Sequence, residues 1–153
     1  MKGEFKKKIC LVSSSGGHYE QLTRLKPLLD EYEGFTVTEK TEFPNNADYF
    51  VTRTGLGERG IFQHTLKLFW EVYKICKKEK PDFVITTGTY ISLPFMIYCK
   101  VKKKKFIYIE TFARVTNTTK AGKFMYKYAD LFIYQWEQLK EFYPNGVYGG
   151  SIY

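Results

Sequence analysis

Short apolar runs recur along the chain, each followed by small or polar residues and then by a segment with helical spacing. Ile9-Cys10-Leu11-Val12 is the first such run, and it reads as a short buried strand. Leu22, Leu25 and Leu29 follow at three- and four-residue intervals, which predicts a helix over 18–32 with Pro27 as a kink. Strands are predicted at 35–38 and 49–52. Thr54-Gly55-Leu56-Gly57 then breaks the chain before a long helix over 61–80, and Pro81-Asp82 introduces a strand at 83–85. The segment 93–99 is apolar on every side, so it is either a fully packed helix or one that meets a partner. Strands at 106–109, 131–134 and 147–148 alternate with helices at 121–129 and 136–143. This alternation predicts an α/β fold, a parallel sheet with helices on both faces.

The long helix carries a second pattern. Phe62, Leu66, Phe69, Tyr73 and Cys76 form one stripe, and Ile61, Leu68, Val72 and Ile75 widen it into a broad face expected to be buried. Trp70 falls outside that face, at three- and four-residue spacing from Lys67, Lys74 and Lys77. A tryptophan among lysines suits a membrane surface or a partner, and equally a ring lying under a loop.

Composition narrows the class. A chain of 153 residues, 44% hydrophobic and 26% charged, suits one well-cored soluble domain. Aromatic content is high at 18%, so some rings are expected on the surface, where they favour interfaces. Net charge is +8, divided as +3 over residues 1–80 and +5 over 81–153. Lysines cluster at 6–8, 77–78 and 102–105, which suits an anionic partner: phospholipid, nucleic acid or a phosphorylated substrate. Cys10, Cys76 and Cys99 lie far apart in apolar segments and read as buried free thiols of a reducing compartment. No signal peptide precedes the first strand, and no run approaches the ~18 apolar residues of a membrane span. The expectation is a cytoplasmic protein whose membrane contact is peripheral.

Three loops are expected at the carboxyl ends of strands, where open α/β sheets bind ligands. The first is Ser13-Ser14-Ser15-Gly16-Gly17-His18. The second is Thr86-Thr87-Gly88-Thr89-Tyr90, and the third is Glu110-Thr111-Phe112-Ala113-Arg114. Glycines let the backbone approach a ligand, and the first amides of a helix carry partial positive charge. Together the loops supply an imidazole, a carboxylate, a guanidinium, hydroxyls and amides, a set suited to a phosphorylated, hydroxyl-rich ligand. Each piece has a plain structural reading as well: a tight strand-to-helix turn, or a Glu110–Arg114 pair four residues apart. The turn lacks the Lys-Ser/Thr of a P-loop and the full dinucleotide fingerprint. His18 would serve as a general base if a substrate hydroxyl reaches it, or as a phosphate ligand.

With those loops in hand, the chain resembles the membrane-recruiting subunit of the two-chain UDP-N-acetylglucosamine transferase of asparagine-linked glycan synthesis. It resembles still more the bacterial accessory chains of capsule and exopolysaccharide glycosyltransferases. The matching stretches are Ser14-Ser15-Gly16-Gly17-His18, Thr87-Gly88-Thr89 and Tyr108-Ile109-Glu110-Thr111-Phe112-Ala113-Arg114-Val115. They continue through Thr119-Lys120-Ala121-Gly122-Lys123, Tyr128-Ala129-Asp130, Gln135-Trp136 and Tyr148-Gly149-Gly150. The resemblance runs nearly end to end in consistent order. A fainter one is to the amino-terminal half of the lipid-linked glucosaminyltransferase of peptidoglycan synthesis.

The resemblance implies a single Rossmann-like domain over 1–153, equivalent to the amino-terminal, acceptor-side half of a GT-B glycosyltransferase. It implies a polyprenyl-diphosphate-linked sugar as acceptor, and a UDP-sugar at a cleft shared with a separate donor-binding subunit. No metal and no cofactor are implied, and the chain is not expected to catalyse alone. Ser14, Ser15, Gly16, Gly17, Gly88, Thr89 and Arg114 would hold the acceptor or its diphosphate. His18 would be the candidate base or a phosphate ligand, and Glu110, the second catalytic candidate, would with Arg114 orient the sugar or diphosphate near the cleft. Lys67, Trp70, Lys74 and Lys77, with Lys102, Lys103 and Lys104, would form an anionic-membrane or partner surface on the inner face of the plasma membrane. Two departures stand out: the amino-terminal membrane helix of eukaryotic members is missing here, and Thr111 replaces a common serine. The rival readings are a basic nucleic-acid-binding module, which no RNP-type strand or helix-turn-helix pattern supports, and a small stand-alone nucleotide-sugar enzyme.

Overall fold

The computed structural model describes residues 7–42, 45–54 and 60–153. Lys6 and the glycines of the predicted break at 55–57 lie outside the described residues. In chain order the elements are β1 (Lys8–Val12), α1 (Gly17–Thr23), α2 (Leu28–Glu31), β2 (Glu33–Glu39), β3 (Tyr49–Val51), α3 (Ile61–Glu79) and β4 (Phe83–Thr86). There follow α4 (Ser92–Lys102), β5 (Lys105–Ile109), α5 (Lys120–Tyr126), β6 (Leu131–Tyr134), a 3-10 turn (Glu137–Glu141) and β7 (Val147–Tyr148).

The seven strands form one sheet in the order β3-β2-β1-β4-β5-β6-β7, parallel throughout. Alternate residues of β1 feed two separate cores. Cys10 and Val12 join Leu68, Val72, Val84, Phe95 and Phe106 in the larger core, which α3, α4 and α5 cover. Ile9 and Leu11 join Tyr19 and Leu22 in a smaller core under α1 and α2. Right-handed crossovers account for this division, because the chain winds leftward from β1 to β3 and rightward from β4 to β7. At ~1.5–3 kcal/mol per fully buried large apolar side chain, the α3–α5 core dominates stability.

Two helices differ from the sequence expectation. The helix predicted over 18–32 is two pieces, because Pro27 has no N–H and its ring opposes the carbonyl of Thr23. The chain tightens into three-residue hydrogen bonds there, Leu25 N–H to Leu22 O at 2.9 Å and Lys26 N–H to Thr23 O at 3.1 Å, before α2 begins.

In α3 the buried face is Leu68, Val72, Ile75 and Cys76. The stripe predicted to be buried lies largely on the surface: Phe62 is 71%, Leu66 55% and Tyr73 45% exposed, alongside Trp70 at 59%. The apolar arc is wider than the sheet can cover. The compact side chains of Val72 and Cys76 pack inward, and the bulky aromatic flank is left out. α4 repeats this on a smaller scale, burying Phe95, Met96 and Cys99 while Ile97 and Val101 stay exposed. All three cysteines are free and buried, and burial holds each thiol well above its ordinary range.

Candidate functional site

The chain leaves β1 toward one edge of the sheet and returns to β4 beside it, so the carboxyl ends of β1 and β4 form a switch point, where open α/β sheets bind ligands. Both loops at that point carry sequence-predicted residues, and the structure bonds them together. Ser14 N–H donates to Gly88 O at 3.0 Å, and Thr89 Oγ1 donates to Ser14 Oγ at 3.2 Å. Thr87 Oγ1 donates to His18 O at 2.7 Å. Gly88 adopts φ +101°, and a Cβ on it would press on the His18 ring at 3.4 Å.

His18 is half-buried with Nδ1 2.7 Å from Thr87 O. A carbonyl only accepts, so Nδ1 carries the proton and Nε2 of the neutral ring keeps its lone pair. That tautomer suits a base toward a hydroxyl, and the protonated ring suits a phosphate oxygen.

Gly16 caps α1 with φ +76° and no side-chain capping bond, and a Cβ on either Gly16 or Gly17 would meet nothing within 4 Å. The first amides of α1 have no acceptor within the helix, and Gly16 and Gly17 are exposed. Ser15 N–H is turned the other way, toward the carboxylate of Glu39 at 3.4 Å. In front of this turn lies a cavity of about 920 Å³ lined by Ser15, Gly16, Tyr19, Glu20, Lys40 and Arg53 among others. Among the described residues no carboxylate pairs with Lys40 or Arg53. Sequence reasoning missed both, since each is an isolated cation just past a strand, β2 or β3.

The third loop is held differently. Gln21 Nε2 donates to Thr111 Oγ1 at 3.3 Å, Phe112 N–H donates to Gln21 Oε1 at 3.1 Å, and Gln135 Nε2 reaches both Gln21 Oε1 and Glu110 O. This buried amide relay fixes the loop to α1.

Glu110, the second catalytic candidate, is fully buried. Its carboxylate accepts from Tyr143 OH at 2.6 Å, from Thr119 Oγ1 at 3.1 Å and from Thr111 N–H at 3.0 Å. A Cβ on Gly122 would lie 1.9 Å from Glu110 Oε2, so only glycine leaves room for it. Glu110 is thus a brace. It orients Thr119, whose hydroxyl accepts from Gly122 N–H and caps α5, and it holds β5 to the Tyr143 turn. Burial, together with Glu110, pushes the Tyr143 and Tyr108 hydroxyls well above the usual phenol range. Arg114 does not pair with Glu110. It is exposed and donates to Asn117 Oδ1 at 3.2 Å.

The surface residues divide. Trp70 stacks on Tyr73 at 5.7 Å, with Lys74 Nζ over Trp70 and Lys77 Nζ over Tyr73, both at 5.9 Å, and Lys67 is exposed nearby on the helix. Lys102 and Lys103 are exposed at the far end of α4, where the strands begin, and Lys104 is drawn into an ion pair with Asp82 at 2.8 Å. That cluster therefore sits at the opposite end of the sheet from the turn. Among the described residues no helix is long and apolar enough to cross a membrane, and no group of three His, Cys, Asp or Glu side chains could hold a metal ion.

Taken whole, the architecture is Rossmann-like and corresponds to one half of a GT-B enzyme. It superposes on UDP-N-acetylglucosamine 2-epimerase from Rickettsia bellii with a TM-score of 0.73 over 96% of this chain and 45% of that one, at 16% identity. It superposes on MurG from Acinetobacter baumannii with a TM-score of 0.70 over 86% of this chain and 42% of that one, at 14% identity. At these identities the likeness is one of fold.

Residues 59–152 match the family described as "Oligosaccharide biosynthesis protein Alg14 like", and the chain belongs to that family. It is 33% identical over 94 residues to the UDP-N-acetylglucosamine transferase subunit ALG14 of Homo sapiens, covering 58% of this chain and 44% of that protein. It is 34% identical over 95 residues to the UDP-N-acetylglucosamine--N-acetylmuramyl-(pentapeptide) pyrophosphoryl-undecaprenol N-acetylglucosamine transferase of Fusobacterium nucleatum, covering 61% of this chain and 26% of that protein. Each match spans less than half the relative's length. The family match begins at residue 59, so the turn at 14–18 lies ahead of it.

Proposed function

We propose that this chain is the acceptor-binding, membrane-recruiting subunit of a two-chain UDP-sugar glycosyltransferase. The observation that carries the proposal is the pairing of family membership with a fold that amounts to one half of a GT-B enzyme. The relatives named as transferase subunits support a donor-binding half supplied by a separate chain, with the UDP-sugar in the cleft between the two. The acceptor is a sugar on a polyprenyl diphosphate, extended for a cell-surface polysaccharide such as capsule or exopolysaccharide. The work is done at the inner face of the plasma membrane, with this chain held there peripherally from the cytoplasm.

In this reading the amides of Gly16 and Gly17 and the hydroxyls of Ser14, Ser15 and Thr89 take the acceptor diphosphate, with Lys40 and Arg53 supplying countercharge across the open cavity. His18 Nε2 accepts the proton of the acceptor hydroxyl as its oxygen attacks the anomeric carbon of the donor and UDP departs. Glu110 positions the loops and does not touch substrate. The exposed flank of α3, Phe62, Leu66, Trp70 and Tyr73 with Lys67, Lys74 and Lys77, lies on the membrane, each lysine near an anionic leaflet contributing about 1 kcal/mol.

The test is transfer of radiolabelled N-acetylglucosamine from its UDP donor to a polyprenyl-diphosphate-linked sugar. The chain is assayed alone and together with a donor-binding half. Turnover only in the mixture is expected. Full turnover by this chain alone would overturn the subunit assignment.

A further inference from the structure

A second cavity, of about 500 Å³, opens on the other side of the Arg53-Thr54 step and is lined by Thr54, Thr89, Tyr90, Leu93, Phe124 and Met125. Among the described residues its lining is mainly apolar and includes no carboxylate and no amide side chain. A sugar placed there would find few partners, the hydroxyls of Thr54, Thr89 and Tyr90 and the Lys120 ammonium at the rim, whereas hydrocarbon would pack on the apolar remainder of the wall. We propose that this cavity receives the isoprene units nearest the diphosphate of the lipid-linked acceptor, an inference that rests on the diphosphate reading of the turn given above.

Three observations fix the occupant. Thr89 lines the cavity and also bonds Ser14 of the turn at 3.2 Å, so the cavity begins where a diphosphate on the turn ends. The exposed Lys120 lines the same cavity, a cation suited to an anionic head joined to an apolar tail. On the far side the Tyr90 hydroxyl meets Thr65 Oγ1 of α3 at 3.4 Å, and α3 is the helix that presents Phe62 and Leu66 to solvent. Tyr90 thus joins the cavity wall to α3, the helix proposed to lie on the membrane.

Titration calorimetry of the full chain with farnesyl diphosphate and with inorganic pyrophosphate tests this. Farnesyl diphosphate is expected to bind at least about tenfold more tightly. Phe124→Asp, at a half-exposed position, and Ala121→Trp, which fills the cavity without adding charge, should each remove that margin and leave pyrophosphate binding unchanged. Equal affinities in the unaltered chain, or a margin that survives both variants, would overturn the proposal. So would a margin removed by Phe62→Asp and not by the cavity variants, which would place the tail on the outer face of α3. Failure of both compounds to bind would instead sink the diphosphate reading on which this one stands.

Discussion

At the amino ends of the strands, the acidic side chains are matched to lysines. Lys8 Nζ lies 3.0 Å from Glu33 and 2.7 Å from Glu79, Lys104 lies 2.8 Å from Asp82, and Lys100 and Lys105 lie 3.5 and 3.6 Å from Asp130. At the carboxyl ends, Lys40 and Arg53 have no carboxylate partner among the described residues, the buried Ser13 Oγ makes no hydrogen bond, and His18 Nε2 keeps its lone pair. The same parallel sheet thus has one end where Glu33, Glu79, Asp82 and Asp130 are paired with lysines and one end with unspent bonding capacity. The first, closed end holds the fold, and the second, open end is where the proposed function places the ligand. Glu110 is an informative case: like Glu39, which takes the Ser15 N–H, it is a buried, bonded carboxylate at the open end.

The sharpest way to break this comparison is at Glu110. Gly122→Ala drives a methyl into the Glu110 carboxylate and should cost about 3 kcal/mol or more of stability by displacing a buried, fully bonded group. Denaturant unfolding measures it. A loss under about 1 kcal/mol would show that Glu110 is not a brace.

His18→Ala should do the reverse. Transfer by the two-chain mixture should fall about 100-fold or more, while the unfolding free energy changes little. Undiminished transfer would remove His18 from the chemistry. A smaller effect is expected from Trp70→Ala, about tenfold weaker binding to vesicles containing anionic lipid, as read by sedimentation. Unchanged partitioning would detach the α3 flank from the membrane reading.

The smallest effect belongs to the closed end. The hydrogen bond from Lys104, then the Lys8 N–H, hold the Asp82 carboxyl below its usual range, and Lys8 does the same for Glu79. A carboxyl lowered in the folded state contributes stability above its unfolded pKa and loses it as pH falls through the folded value. Unfolding free energy should therefore drop on acidification below the ordinary carboxylate range. Asp82→Asn should cost about 1 kcal/mol near neutral pH and flatten that acid limb. An unchanged acid limb in the variant would remove Asp82 from the closed end.

The strand order of events was legible because each strand is a short apolar run bounded by turn residues, and alternation with helices leaves few topologies open. The convergence of the first two loops followed from the same parallel geometry. What the sequence withheld depends on partners far along the chain. The His18 tautomer is set by a carbonyl 69 residues away. Glu110 reads as a site residue because a carboxylate directly follows a strand, and its burial is explained only by Thr119, Gly122 and Tyr143. In α3 periodicity included the four inward residues, Leu68, Val72, Ile75 and Cys76, but drew the buried face too wide, because apolar residues occupy more of the circumference than the sheet covers. The exposed flank of α3 is that surplus, which sequence reasoning had assigned to the core.

The most direct measurement is a two-dimensional amide spectrum of the chain titrated with inorganic pyrophosphate. The account predicts saturable shifts at Gly16, Gly17, His18 and residues 87–89, with resonances around Lys8, Asp82 and Asp130 unmoved. Shifts centred on the amino ends of the strands, or no saturable shift at the turn, would contradict it.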